Sequence, residues 1–359
     1  MARKIMPQPD PLYVVIGVDT HKDLHVARAK DQVGRLLGEL TVAAETAGYR
    51  RLRAWAHRFG EVASWGIEGT GSYGAGLARY LRSHGEDVIE VIRPNRQERR
   101  HNGKSDPADA DAAAVAVLSG NANAQPKSGE GTVEMIRTLR VARASAIKAR
   151  TQTANVLQAL VVTAPAELRE QLQTLSTAAL VRTCARFRPG QLSDPTSATK
   201  AVLRSLAARY ESLDKEIRTL ETQLAPLVRQ AAPQLLARFG VGPETAAQLL
   251  VTAGDNPDRL GSDASFSMLC GSSPLDASSG RQKHHRLNPG GDRQANSALY
   301  YIVVCRMRHD RRTQQYVARK TAEGKTTKEI IRCLKRYVAR EIYQVLKQME
   351  AAPAVTSAA

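Results

Sequence analysis

Cysteine is sparse and scattered. Cys184, Cys270, Cys305 and Cys333 make no C-x-x-C pair, which argues against a zinc knuckle and against a disulfide framework. Long hydrophobic runs are missing too. No stretch reaches the ~18 apolar residues that a bilayer span requires. The opening "MARKIMPQPDPLYVV" has no apolar signal core. These absences lead us to expect a reduced, cytoplasmic chain with no membrane contact. Aromatic residues are only 4% of 359, while Ala, Leu and Arg are frequent, a mix that favours helices packed through small side chains.

Negative charge is also in short supply. Lys and Arg number 52 against 35 Asp and Glu, a formal charge of +17. The excess is concentrated: Arg281 to Lys347 holds 17 basic and 5 acidic residues. A polyanion partner, nucleic acid foremost, explains such clustering better than a solvated basic face.

The length suggests two or three domains. Residues 12–41 read as three strands: "LYVVIGVD", "LHVARAK" and "GRLLGELTV". A helix over 46–58, a strand in "EVASWGIE", a helix in "YGAGLARYLRSHG", a strand in "DVIEVI" and a helix in "DPADADAAAVAVLSG" follow. This β-β-β-α-β-α-β-α order is the arrangement of ribonuclease H-like domains. The expected fold class is therefore α/β plus α, with an N-terminal RNase H-like or RuvC-like domain over 10–125. A small polar stretch at 121–131 reads as a linker. A helical or coiled-coil region is expected at 132–231, with long helices at 132–163 and 197–231 forming an antiparallel pair, a dimerising coil or an ordinary bundle. A mainly helical C-terminal domain over 233–348 opens with "LLARFGVGPETAAQLL", the outline of a helix-hairpin-helix or a plain helical turn. It closes with a basic helix capped by Thr326 and Glu329. Residues 349–359 read as a disordered tail.

Four carboxylates sit where such a fold would build a metal site. Asp19 ends the first strand and Glu68 the fourth. Asp106 and Asp109, three apart on one helical face, open a helix. A carboxylate at an apolar strand end is costly without a cation, and Mg²⁺ prefers hard oxygen ligands. Asp111 lies on a different helical face. The alternative for Asp109 is an ordinary helix-dipole charge. "EGTGSYGAG" lacks the Lys-Ser/Thr of a P-loop. It reads as a strand-to-helix turn, or as backbone support for Glu68 or a phosphate.

"GVDTHKD", "IEGTGSYG" and "KSDPADADA", together with "FSMLCGSSPLDASSGRQKHHRLNPGGDRQANSALYYIVVCRMR" and "EGKTTKEIIRCLKRYVARE", resemble the insertion-sequence-110 transposases and Piv-type DNA invertases. The resemblance covers about residues 12–345. It implies that Asp19, Glu68, Asp106 and Asp109 are metal-binding acids of a DEDD motif using Mg²⁺, with Mn²⁺ able to substitute. It implies that Ser279, the serine before glycine, is the nucleophile, with Ser278 second and Ser272 and Ser273 as further hydroxyls. It implies a recombinase acting on donor and target DNA through a covalent phosphoserine. The further implications are a bridge RNA as guide and a homo-oligomer, dimers assembling to a tetramer, in which RuvC-like and serine domains of different protomers meet.

Arg281, Lys283, His284, His285 and Arg286 follow the serine as candidate phosphate contacts. Arg293, Arg306 and Arg308 are candidates for gripping DNA or RNA backbone. Two rival readings share these features: a RuvC-like hydrolytic nuclease that uses water, and a non-catalytic nucleic-acid-binding protein. A sugar kinase would need a second domain copy with ATP-binding glycine loops, and none is present in the sequence.

Overall fold

The computed structural model describes residues 13–91, 105–256, 259–280, 285–286 and 288–351. Arg281, Lys283 and His284 therefore lie outside the described residues, as does the tail beyond Ala351. The chain divides into two compact units. One comprises residues 1–130 with 253–265, the other residues 131–252 with 266–359.

The first unit is built on a five-stranded sheet of order β3-β2-β1-β4-β5. β1 (Tyr13–Thr20), β2 (Leu24–Asp31) and β3 (Leu36–Ala43) form an antiparallel meander. β4 (Glu61–Glu68) and β5 (Val88–Val91) add in parallel beside β1. The helices are α1 (Thr46–Ala56), α2 (Ala75–Ser83) and α3 (Asp106–Leu118). This is the expected RNase H-like element order. Gly34, Gly85 and Gly120 take positive φ at the turns where the punctuation suggested breaks.

The two sheet faces explain how the sequence folds here. β1 alternates with period two. Val14, Ile16 and Val18 join Leu52, Trp55, Leu77 and Leu81 in the core beneath α1 and α2. Val15, Gly17 and Asp19 take the other face, and α3 lies there. A Cβ at Gly17 would stand 2.0 Å from the Ala110 carbonyl oxygen, and one at Gly66 would stand 2.9 Å from the Ala113 carbonyl. Glycine on two neighbouring strands and alanine along "ADAAAVAV" thus let helix backbone rest on sheet backbone. Asp111 is turned aside, paired with Lys30 at 2.9 Å and Arg28 at 3.5 Å on β2.

Residues expected to form a linker do more than connect. Glu90 N–H donates to the Ala124 carbonyl at 2.7 Å, extending the pairing of β5. Asn256 donates to the Pro126 carbonyl and accepts from Ser128 N–H. These contacts anchor 253–265 to the first unit.

The second unit contains α4 (Gly131–Val162), α5 (Ala166–Leu172), α6 (Thr177–Ala185) and α7 (Pro195–Ala231). α4 and α7 pair antiparallel within the chain: Arg143 meets Glu221, while Arg150, further along α4, meets Asp214, further back on α7. Two short helices between them, unread in the sequence, help close a core of Leu157, Leu168, Leu172, Leu180, Cys184 and Leu203. Asp194 caps α7 through Thr196 and Ser197 N–H.

α8 (Pro233–Leu236) is a single turn that leads through Gly240, at φ +79°, to α9 (Pro243–Ala253). Arg140 and Arg143 of α4 bind Glu244 of α9, both within the second unit. α10 (Asp263–Leu269), the short hairpin β6 (Leu275–Asp276) and β7 (His285–Arg286), α11 (Arg293–His309), α12 (Arg311–Ala322) and α13 (Thr327–Ala351) complete it. The Thr326–Glu329 capping box forms: Thr326 N–H donates to Glu329 at 2.8 Å, and Glu329 N–H donates back at 3.4 Å. α13 runs to Ala351, so the first residues expected in the tail are helical.

Candidate active site

Asp19 lies two residues beyond Gly17 on β1, and Glu68 two beyond Gly66 on β4. Each therefore shares the face that carries α3. β1 and β4 are parallel neighbours, so both acids sit at the carboxyl ends of the central strands. Thr20 Oγ1 donates to the Glu68 carbonyl at 2.8 Å and ties the two strand ends together. α3 brings its first turn, with Asp106 and Asp109, to the same end.

The closest set among the described residues is Asp19, His21 and Asp106, with one ligand atom from each within 4.8 Å of the others. His21 Nε2 is 3.0 Å from Asp19 Oδ2 and 3.3 Å from Asp106 Oδ1. Glu68 and Asp109 stand outside this close set. Burial pushes the Asp19 carboxyl above its ordinary value; His21 opposes this, and the negative charges of Asp109 and Asp106 add to it. A buried acid crowded by two more carboxylates is a donor set suited to a divalent cation. His21 was missed in the sequence. Its signal was available in "DTHKD", where an imidazole follows a strand-end aspartate by two residues.

The glycine-rich turn after Glu68 supports the strand end. Gly69 has φ +70°, and its carbonyl accepts from Ser72 and Gly74 N–H. Thr70 Oγ1 donates to Glu90 at 2.8 Å. A Cβ at Gly74 would sit 2.9 Å from the Glu68 carbonyl oxygen, so this glycine is required by close approach.

The serine segment belongs to the second unit, on the connection between β6 and β7. Asp276 pairs with His285 and Leu275 with Arg286. Asp276 Oδ1 accepts from Ser278 N–H at 2.9 Å and from Ser278 Oγ at 2.5 Å, an Asx turn. The bond from the Ser278 hydroxyl, then that from its N–H, hold the Asp276 carboxyl below its ordinary range. Ser279 follows, exposed, and Gly280 takes φ +58° to reverse the chain. Asp276 escaped the sequence reading, although D-x-S is an Asx-turn pattern.

Ser272 and Ser273 have a different part. Their N–H groups donate to the Ser267 carbonyl at 2.8 and 3.2 Å and close the end of α10. Among the candidate cations, His285, Arg286, Arg293 and Arg308 are exposed. Arg306 has its donors turned inward, to Glu341 at 2.6 and 3.1 Å and to the Phe239 carbonyl at 2.8 Å. Its position explains an interior tie between α11 and α13 better than a backbone grip.

Comparison with known proteins matches two segments of the chain. Residues 16–164 match a family model described as "Transposase", the DEDD type of IS110. Residues 232–318 match the "Transposase IS116/IS110/IS902 family". A protein of Streptomyces coelicolor, "Insertion element IS110 uncharacterized 43.6 kDa protein", is 31% identical over 155 residues. That match covers 42% of this chain and 38% of the relative. No helix among the described residues is long and apolar enough to cross a membrane. With an RNase H-like sheet in its first unit and two segments that match models of one family, the chain belongs to the insertion-sequence-110 family of transposases.

Proposed function

We propose that the protein is a DNA recombinase that cleaves and exchanges strands of an insertion element through a covalent phosphoserine at Ser279. The observation that carries this reading is the approach of Asp106 to Asp19 about His21, because carboxylates distant in sequence and an imidazole between them offer ligand atoms that a divalent cation would need. Asp19, Glu68, Asp106 and Asp109 would hold divalent Mg²⁺, or Mn²⁺ in its place. When bound, the cation supplies charge stabilisation at the scissile phosphate.

The chain's own residues do the rest. Ser279 Oγ loses its proton and bonds to phosphorus, the P–O3′ bond breaks, and the leaving oxygen takes up a proton as a free 3′-hydroxyl. Joining reverses these steps with the 3′-hydroxyl of the exchanged strand, so no nucleotide is consumed. Asp276 engages Ser278 and shapes the turn that presents Ser279. His285, Arg286, Arg293 and Arg308 face solvent as backbone contacts, while Arg281 and Lys283 extend the same basic run. The acids of one protomer would serve the serine of another in a tetramer assembled from dimers, with a bridge RNA pairing to donor and target DNA. The resemblance to the family supports these last two features.

The test is to trap the protein on nicked or suicide DNA with divalent metal and map the attached residue. A 5′-phosphoserine at Ser279, absent in Ser279→Ala and Asp19→Asn, is the expected result. Cleavage and joining that survive Ser279→Ala would instead establish a water-using nuclease.

A further inference from the structure

A second basic feature lies behind the serine hairpin. α13 passes beside the segment Gly271–Pro274 and the strand His285–Arg286, and a cavity of about 590 Å³ opens between them. Its charge is one-sided. Arg286, Lys325, Arg332, Lys335, Arg336 and Arg340 line it against the single carboxylate of Glu329. That carboxylate is already committed, since its Oε2 accepts both N–H and Oγ1 of Thr326. Arg332, Arg336 and Arg340 recur every four residues, so one stripe of α13 faces the cavity.

The wall is built rather than incidental. Lys335 is buried, 7% exposed, and its ammonium donates to Asn296 Oδ1 at 2.7 Å. The Asn296 amide in turn donates to the carbonyls of Cys270 and Gly271, at 3.0 and 2.8 Å. Arg336 donates to Ser267 Oγ at 2.5 Å. These bonds fix α13 against the chain that leads into the serine hairpin. Burial, with Arg332 nearby, lowers the Lys335 ammonium's pKa. A buried cation among further cations is costly alone and is relieved by an anion. Shape and charge together suit a phosphodiester, with guanidinium forks for its non-bridging oxygens.

We propose that this cavity is a phosphodiester-backbone site, contacted by Arg332, Lys335, Arg336 and Arg340, that seats the strand entering the serine hairpin. The seating role rests on the recombinase reading; the phosphate chemistry does not. Full-length protein is titrated with duplex DNA and, separately, single-stranded RNA, by fluorescence anisotropy over a salt series. The double variant Arg332→Gln/Arg340→Gln alters two exposed side chains, and thermal melting confirms that it folds. The slope of log affinity against log salt is expected to fall by about two for the polymer that occupies the cavity. Arg311→Gln/Lys328→Gln, equally exposed but outside the cavity lining, is expected to keep the wild-type slope. A loss confined to DNA, confined to RNA, or present on both identifies the strand seated there. An unchanged slope on both polymers, or an equal loss in the control pair, overturns the proposal. Adduct mapping separates the two ideas. A slope loss without any Ser279 adduct leaves the phosphate site standing and removes its seating role, whereas a Ser279 adduct with unchanged slopes leaves the recombinase reading standing and removes the phosphate site.

Discussion

Gly17 of β1 and Ala110 of α3 meet backbone to backbone, so that a Cβ on the glycine would stand 2.0 Å from the alanine carbonyl oxygen. That contact sets the height of α3 above the sheet, and with it the distance from Asp106 to Asp19. Gly17→Ala is therefore expected to destabilise the first unit by about 1–3 kcal/mol or more, through overpacking against backbone that cannot yield. Denaturant unfolding should report the loss, and DNA cleavage should fall further than DNA binding because α3 carries two of the acids.

Asp19→Asn separates chemistry from folding. The carboxylate is buried and crowded by Asp106 and Asp109, so neutralising it should leave metal-free thermal stability unchanged or higher. Cleavage should drop on the order of hundredfold or more, as for loss of a charge-stabilising group. Added Mn²⁺ or Mg²⁺ should raise the wild-type Tm, by the equivalent of about 2.7 kcal/mol at a hundred times Kd, and should raise it little in the variant. Chelation should return the wild type to its metal-free Tm.

Ser278 and Ser279 are expected to differ in kind. Ser279→Ala should eliminate the protein–DNA adduct. Ser278→Ala removes the hydroxyl bond to Asp276 but keeps the N–H bond, so adduct formation should persist at a severalfold lower rate. Gel-based capture of covalent complexes distinguishes the two outcomes. An adduct retained by Ser279→Ala and lost by Ser278→Ala would exchange their roles.

Glu86 should give the first unit an acid-sensitive margin. Burial raises its carboxyl, but bonds from His57, Trp65 Nε1 and Arg53 outweigh this and hold it below the ordinary 4.5. The unfolded chain then binds the proton first, so the stabilisation is whole above about pH 4.5 and is lost as pH falls through the folded value. His25 adds to the loss from a higher pH. Burial lowers it from the ordinary 6.5, so as pH falls below that value the unfolded state takes up the proton before the folded imidazole does. Wild-type stability is expected to decline from about pH 6.5 downward. Glu86→Gln should be less stable by about 1–3 kcal/mol at pH 7, with the difference closing in acid. Urea melts from pH 7 down to about pH 3 check both.

Much of the first unit was legible because its signals are local. Apolar runs mark β1 and β4, alternation marks β2 and β3, and Gly85 and Gly120 end helices by taking positive φ. The polar capping of α13 was legible for the same reason, since Thr326 and Glu329 are only three residues apart. α5 and α6 were not, because each is too short for a hydrophobic period to declare itself and is held by packing on α4 and α7. Arg306 and Arg308 are indistinguishable as letters. One is turned inward to Glu341 and the other faces solvent, a difference of helical phase that appears only once α13 is in place.

The amino-acid order by itself marked the five strands, the strand-end acids Asp19 and Glu68, the basic segment from Arg281 to Lys347 and the serine-glycine turn, because periodicity, charge and glycine conformation act over a few residues. The tertiary structure alone decided that Asp106 comes to Asp19 and His21, that Asp111 belongs to Lys30, and that α13 lines a cavity behind the serine hairpin. Those pairings depend on how closely one backbone approaches another. That distance is set by Gly17 and Gly66 under α3, and by Asn296 and Lys335 beside α13, through contacts that no local pattern encodes.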